Sequence, residues 1–93
     1  MNKKGYVYIM TNHTYGTLYI GVTSNLEQRV LQHKNKIYGG FTAKYNLTKL
    51  VRYNEFPTIK EAIEWEKKLK AGNRARKIML IEQINPSWED LMP

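Results

Sequence analysis

The sequence predicts an α+β fold: a small three-stranded antiparallel sheet flanked by helices, in the order β-β-α-β-α-α. Three observations carry that expectation. Early β-rich segments alternate apolar and polar residues. Later stretches repeat apolar residues at helical spacing behind capping residues. The 93 residues are enough for one domain, spanning 1–93, and too few for two.

"YVYIM" (Tyr6 to Met10) is rich in β-formers and reads as the first strand. The polar "NHTYG" that follows suits a tight connection, with His13 as an exposed loop residue. "TLYIGVT" then alternates Leu18, Ile20 and Val22 with Thr17, Tyr19, Gly21 and Thr23. Its aliphatic face belongs on the core, and its other face sets Tyr19 beside a glycine whose backbone is open to close approach. Two strands joined so closely form an antiparallel hairpin. "SNLE" predicts a capping box, Ser24 with Glu27, at the start of the first helix. Leu26 and Val30 give that helix a narrow apolar stripe, which ends before "KNKIYGG". "LTKLVRYNEF" is the third strand, with Leu50, Val51 and Tyr53. Thr58 and Glu61 cap a second helix that runs to Ala71 and stops at Gly72. A third helix, about Arg74 to Ile84, ends at Asn85–Pro86, and Trp88 and Leu91 dock the tail on the body.

Fifteen Lys plus Arg against eight Asp plus Glu give a formal charge of +7, which points either to a polyanionic partner or to a solvated basic surface. The basic residues are spread through "KNK", "TKLVR", "KKLK" and "NRARK", so a broad positive face is expected. The absence of cysteine excludes disulfides, thiol catalysis and Cys-ligated zinc, and fits a reducing cytoplasm. No apolar run approaches the ~20 residues of a membrane span, and "MNKKGYVYIMT" is too short and polar for a signal peptide. The expectation is a soluble, cytoplasmic protein without a membrane partner.

Arg29 and His33 are four apart, on one side of their helix. An arginine grips phosphate with two parallel charged hydrogen bonds, and a nearby histidine exchanges protons near neutral pH. The same pair also fits an ordinary solvated helix face. Glu66 falls in the apolar stripe of the second helix, among Ile59, Ala62, Ile63 and Leu69, with Lys70 one turn beyond. A carboxylate there needs a partner, either a salt bridge or a hard cation such as Mg2+. Tyr8 and Tyr19 on neighbouring strands are packing residues unless positive charge stands beside them. A phenol titrates near ~10, and only such charge makes it a base.

"YVYIM" followed by "LYIGVTSNLEQRVLQH" resembles the two signature segments of the GIY-YIG endonuclease superfamily, and the chain is similar to its small stand-alone bacterial members. "GFTAKYN", "EAIEWEKKLKA" and "IEQINPSWEDL" extend the likeness over nearly the whole sequence. The first segment departs from the family name, reading Tyr6-Val7-Tyr8 with tyrosine where the glycine would stand. The resemblance implies a metal-dependent phosphodiesterase that cuts DNA, using one divalent ion, Mg2+ or Mn2+. It implies Glu66 as the metal ligand and Arg29 as the contact to the scissile phosphate. Tyr8 and Tyr19 become the paired tyrosines near the attacking water, and His33 an aid to proton transfer. Asn85 is the candidate for a family asparagine, or else only a helix stop. Lys44 and Lys70 are candidate contacts to the DNA backbone. The alternative is a nucleic-acid-binding module that retains the fold without catalysis.

Overall fold

The structure, a computed structural model, describes residues 3–37 and 39–93. Period-two alternation in β1 (Gly5–Thr11) sends Val7 and Ile9 to one face of the sheet and Tyr8 and Met10 to the other, and all four are buried. This double burial follows from position. β1 is the middle strand, antiparallel to β2 (Leu18–Thr23) on one side and to β3 (Lys49–Phe56) on the other, in the order β2-β1-β3. Tyr8 lies opposite Gly21 in β2 and Tyr53 in β3. The β1–β3 register shifts between Ile9 and Met10, which pair with Arg52 and Leu50, so Val51 is the extra residue of a bulge.

Among the described residues four helices complete the order: α1 (Leu26–Lys34) and α2 (Phe41–Lys44) before β3, then α3 (Ile59–Ala71) and α4 (Arg74–Ile84) after it. The expected α+β architecture is present, with α2 as one additional turn that periodicity is too short to register. Gly40 opens it in the left-handed region, φ 72°. The stretch "KNKIYGG" contains Tyr38, which lies outside the described residues. The cap of α1 is Asn25 rather than Ser24: its side chain accepts from the Gln28 amide at 3.1 Å. The Thr23 hydroxyl accepts from the Asn25 amide at 3.1 Å and moves the helix start one residue along, so Glu27 falls short of the capping-box position. α3 begins as expected, Thr58 accepting from the Glu61 amide at 3.2 Å, and it ends at Gly72.

α3 and α4 cover the Val7 face, packing Ala62, Leu69 and Ile81 with Ile9, Ile20, Val51 and Trp88. The fit of α3 on β1 is close: a Cβ on Gly5 would lie 2.6 Å from the Ala62 Cβ. α1 covers the Tyr8 face with Leu26 and Val30, joined by Leu47. The tail closes the molecule through Trp88, which is fully buried, whereas Leu91 remains 39% exposed and is held by its amide on the Leu50 carbonyl at 2.8 Å. Asp90 accepts from the Leu50 amide at 3.1 Å and pairs with Lys34, whose ammonium also reaches the Thr48 carbonyl at 2.9 Å. Burial pushes the Asp90 carboxyl up, but Lys34 and the amides of Met92 and Leu50 outweigh it and hold the group below the usual carboxylate value.

Two of the arginines are engaged by groups within the protein. Arg52 is buried, donating to Asn54 and the Leu80 carbonyl and lying over Trp65. Arg74 ties the hairpin connection through the carbonyls of Tyr15 and Gly16 at 2.6 and 2.8 Å. Among the described residues no helix is long and apolar enough to cross a membrane.

Candidate active site

The site begins with the cross-strand pair Tyr8 and Gly21. The Tyr8 ring lies across the glycine: a Cβ at position 21 would stand 2.4 Å from its Cζ and Oη. The close approach that the glycine permits therefore comes from the protein's own phenol. Gly21→Ala is expected to displace Tyr8, lowering the melting temperature by about 5 °C or more and breaking the contacts described next. A variant that melts with the wild type, followed by circular dichroism, would refute this placement.

Tyr8 is 0% exposed, and its Oη lies 2.9 Å from the Nε2 of His33, 25 residues away in sequence. The stripe of α1 that buries Leu26 and Val30 also turns His33 inward, leaving it 3% exposed. The Arg29/His33 side of α1 is thus not an ordinary solvated face. Tyr19, from the same side of β2, completes a ring cluster. Its centroid is 6.3 Å from Tyr8 and 5.5 Å from His33. Tyr19 and Arg29 are half-buried, so they form the outer layer over the buried Tyr8–His33 pair.

Burial first, and the Arg29 charge second, push the His33 imidazole below its usual value of 6.5. The folded state therefore prefers the neutral ring, in which one nitrogen donates and the other accepts. Its contribution to stability is fully present above about pH 6.5. It is lost as acid protonates the unfolded chain first, down to the lower pKa of the folded state. Thermal stability is expected to fall as the pH drops below the ordinary histidine value of 6.5 in the wild type, and His33→Asn should flatten that slope. Parallel slopes in the two proteins would contradict it. Asp90, held low by its partners, acts further down, below its ordinary value of 3.8.

Beside Arg29 runs an open groove of about 320 Å³ lined by Ser24, Asn25, Gln28, Arg29, Gln32 and Ile37. Sequence reasoning missed its amides, although Gln28 and Gln32 directly precede Arg29 and His33 and share their four-residue spacing. Arg29 is one of the residues that line this groove.

Tyr8, Tyr19, His33 and Arg29 are thus brought together. Glu66 lies on α3, whose Ala62 and Leu69 pack on the opposite face of the sheet and which also contacts the edge strand β2. Its side chain is 14% exposed and pairs with Lys70 Nζ at 3.3 Å. Among the described residues no group of three or more His, Asp or Glu gathers into a metal-binding cluster. The Lys70 ammonium already neutralises this single carboxylate, so a hard ion such as Mg2+ would have to displace the lysine and complete its shell with waters and phosphate oxygens. Asn85 is buried: its amide donates to the carbonyls of Val51 and Glu89 at 3.0 and 2.8 Å and accepts from the Glu89 amide at 3.0 Å. Lys44 is exposed, its Nζ 5.5 Å from the Tyr45 ring.

Comparison with known proteins identifies the family and the fold. Residues 4–79 match the family model described as the GIY-YIG catalytic domain. The chain is 36% identical over 84 residues to a UPF0213 protein of Syntrophus aciditrophicus, covering 89% of this chain and 94% of the relative. It is 31% identical over 80 residues to a UPF0213 protein of Staphylococcus saprophyticus, covering 86% and 96%. The solution NMR structure of a UPF0213 protein from Bacillus halodurans superposes with a TM-score of 0.58 at 28% identity, over 94% of this chain and 92% of that one.

Proposed function

Because this chain belongs to the GIY-YIG catalytic domain family, we propose that it is an endonuclease that hydrolyses phosphodiester bonds in DNA with one divalent metal ion. The observation that carries this reading is the Tyr8–His33 hydrogen bond, roofed by Tyr19 and set beside Arg29. Hydrolysis requires an oriented water, a proton acceptor and neutralisation of charge on the non-bridging oxygens. Arg29, open to the groove, binds the scissile phosphate and steadies that charge. Tyr19, in the outer layer, orients the water and, in its phenolate form beside the Arg29 charge, takes the water's proton to become the neutral phenol. Tyr8 and neutral His33 hold the network below and can move a proton between Oη and Nε2. Glu66 would hold Mg2+ or Mn2+, which when bound supplies further charge neutralisation at the phosphate. Asn85 acts through position, fixing the tail against β3. Lys44 and Lys70 contact the DNA backbone.

A second reading, a nucleic-acid-binding module without catalysis, is favoured by the Glu66–Lys70 ion pair, which already gives the carboxylate a partner. A panel of duplex, branched and single-stranded DNA incubated with Mg2+, Mn2+ or EDTA separates the two. The nuclease nicks at least one form, needs the metal, and loses about 10²–10³ in rate on Arg29→Ala. Binding to every form without any nicking establishes the module instead.

A further inference from the structure

Phe41 and Tyr45 are 51% and 42% exposed, although both belong to a well-anchored segment. They stand four residues apart at the two ends of α2, with ring centroids 4.8 Å apart and planes inclined at 49°. Neither ring belongs to either core cluster. The segment is held by other groups: Thr42 and Leu47 are buried, the Leu47 amide donates to the Thr42 carbonyl at 2.9 Å, and Asn12 donates to the Tyr45 carbonyl at 3.3 Å. The two aromatics are therefore not needed to fix α2. The approach to α2 is open as well, since a Cβ on Gly39 or Gly40 would meet nothing within 4 Å.

Exposed aromatic rings backed by lysine are the combination that holds unpaired bases, because every base has a stacking face and every nucleotide carries a phosphate. Lys44 supplies the cation at the platform itself, 5.5 Å from the Tyr45 ring, and Lys36 is exposed on the preceding turn. The chain's +7 charge disfavours a cationic partner at the same place. We propose that Phe41 and Tyr45 form a stacking platform for an unpaired base of single-stranded DNA, with Lys44 on the adjoining phosphate. This rests on DNA as the substrate and narrows it to DNA carrying unpaired nucleotides.

Binding in EDTA tests the platform without any cleavage. A fluorescent 12-nucleotide oligothymidylate and an abasic strand of equal length carry the same backbone charge and differ only in bases. Wild type is expected to bind the base-bearing strand about tenfold or more tightly. Phe41→Ala/Tyr45→Ala should bind both strands with the weaker affinity while keeping the wild-type circular dichroism spectrum. Lys44→Ala should weaken both strands alike and reduce the salt slope by about one. Equal binding of the two strands by wild type, or a preference that survives in the double variant, overturns the proposal. A protein that shows the preference yet never cuts keeps the platform and loses the nuclease. One that cuts with Mg2+ but ignores the bases does the reverse.

Discussion

Glu66→Gln is expected to reduce metal-dependent cleavage by about a thousandfold or more while leaving DNA binding in EDTA within a few-fold of wild type. The size follows from the chemistry, since loss of several kcal/mol of charge stabilisation removes a factor of ten for each 1.36 kcal/mol. The amide keeps the shape of the side chain but carries no charge to hold a cation. Folding should hardly register the change. The Glu66–Lys70 pair is an i,i+4 contact with a half-exposed lysine, and such pairs contribute about 0.3–0.5 kcal/mol. Melting temperature, binding and cleavage thus separate a metal ligand from a helix salt bridge. Cleavage within tenfold of wild type would assign Glu66 to the salt bridge alone. Lys70→Ala serves as the companion variant, because it removes the ion pair and spares the carboxylate.

Trp88→Ala is expected to destabilise the protein by about 3–5 kcal/mol, lowering the melting temperature by some 15–30 °C. Trp88 is fully buried among Val7, Ile9, Val51 and Ile81, and it is among the largest side chains so enclosed. Its indole Nε1 donates to Glu82 at 2.9 Å, and Glu82 also accepts from the Tyr15 hydroxyl at 2.8 Å, so one carboxylate links the tail to the hairpin connection. The backbone at Trp88 sits in the left-handed region, φ 54°, a strained conformation for a bulky residue that its burial offsets. Since total stability for a domain of this size is of the order of 5–15 kcal/mol, the alanine variant should be barely folded at 37 °C. Trp88→Phe retains most of the packing and should lose only a few degrees. A melting temperature within 5 °C of wild type for Trp88→Ala would show that the tail is not part of the core.

The secondary structure was legible because it follows from local rules. The limits of α3 and α4 could be read from Thr58, Gly72 and Asn85, since caps and terminators act within a few residues of their own position. The one-residue error at Asn25 arose because the Thr23 hydroxyl competes for a neighbouring amide, and spacing alone does not rank two adjacent cap formers. α2 offered too few residues for a period.

The site was legible as a set of residue types and illegible as an arrangement. Arg29 and His33 could be placed on one side of α1 by spacing. That His33 turns inward to Tyr8 depends on α1 docking against a face of the sheet chosen by the whole core. Arg52 and Lys34 looked like surface charge and are instead bound to Leu80 and Asp90, partners 28 and 56 residues away. The amino-acid order by itself determined the strands, the helices, their alternating faces and the family signature, because these depend on neighbours along the chain. Only the tertiary structure decided which phenol is buried, what fills the space above Gly21 and which charges are spent inside. Those outcomes arise when distant segments compete for the same apolar volume, and nothing in local spacing records who occupies it.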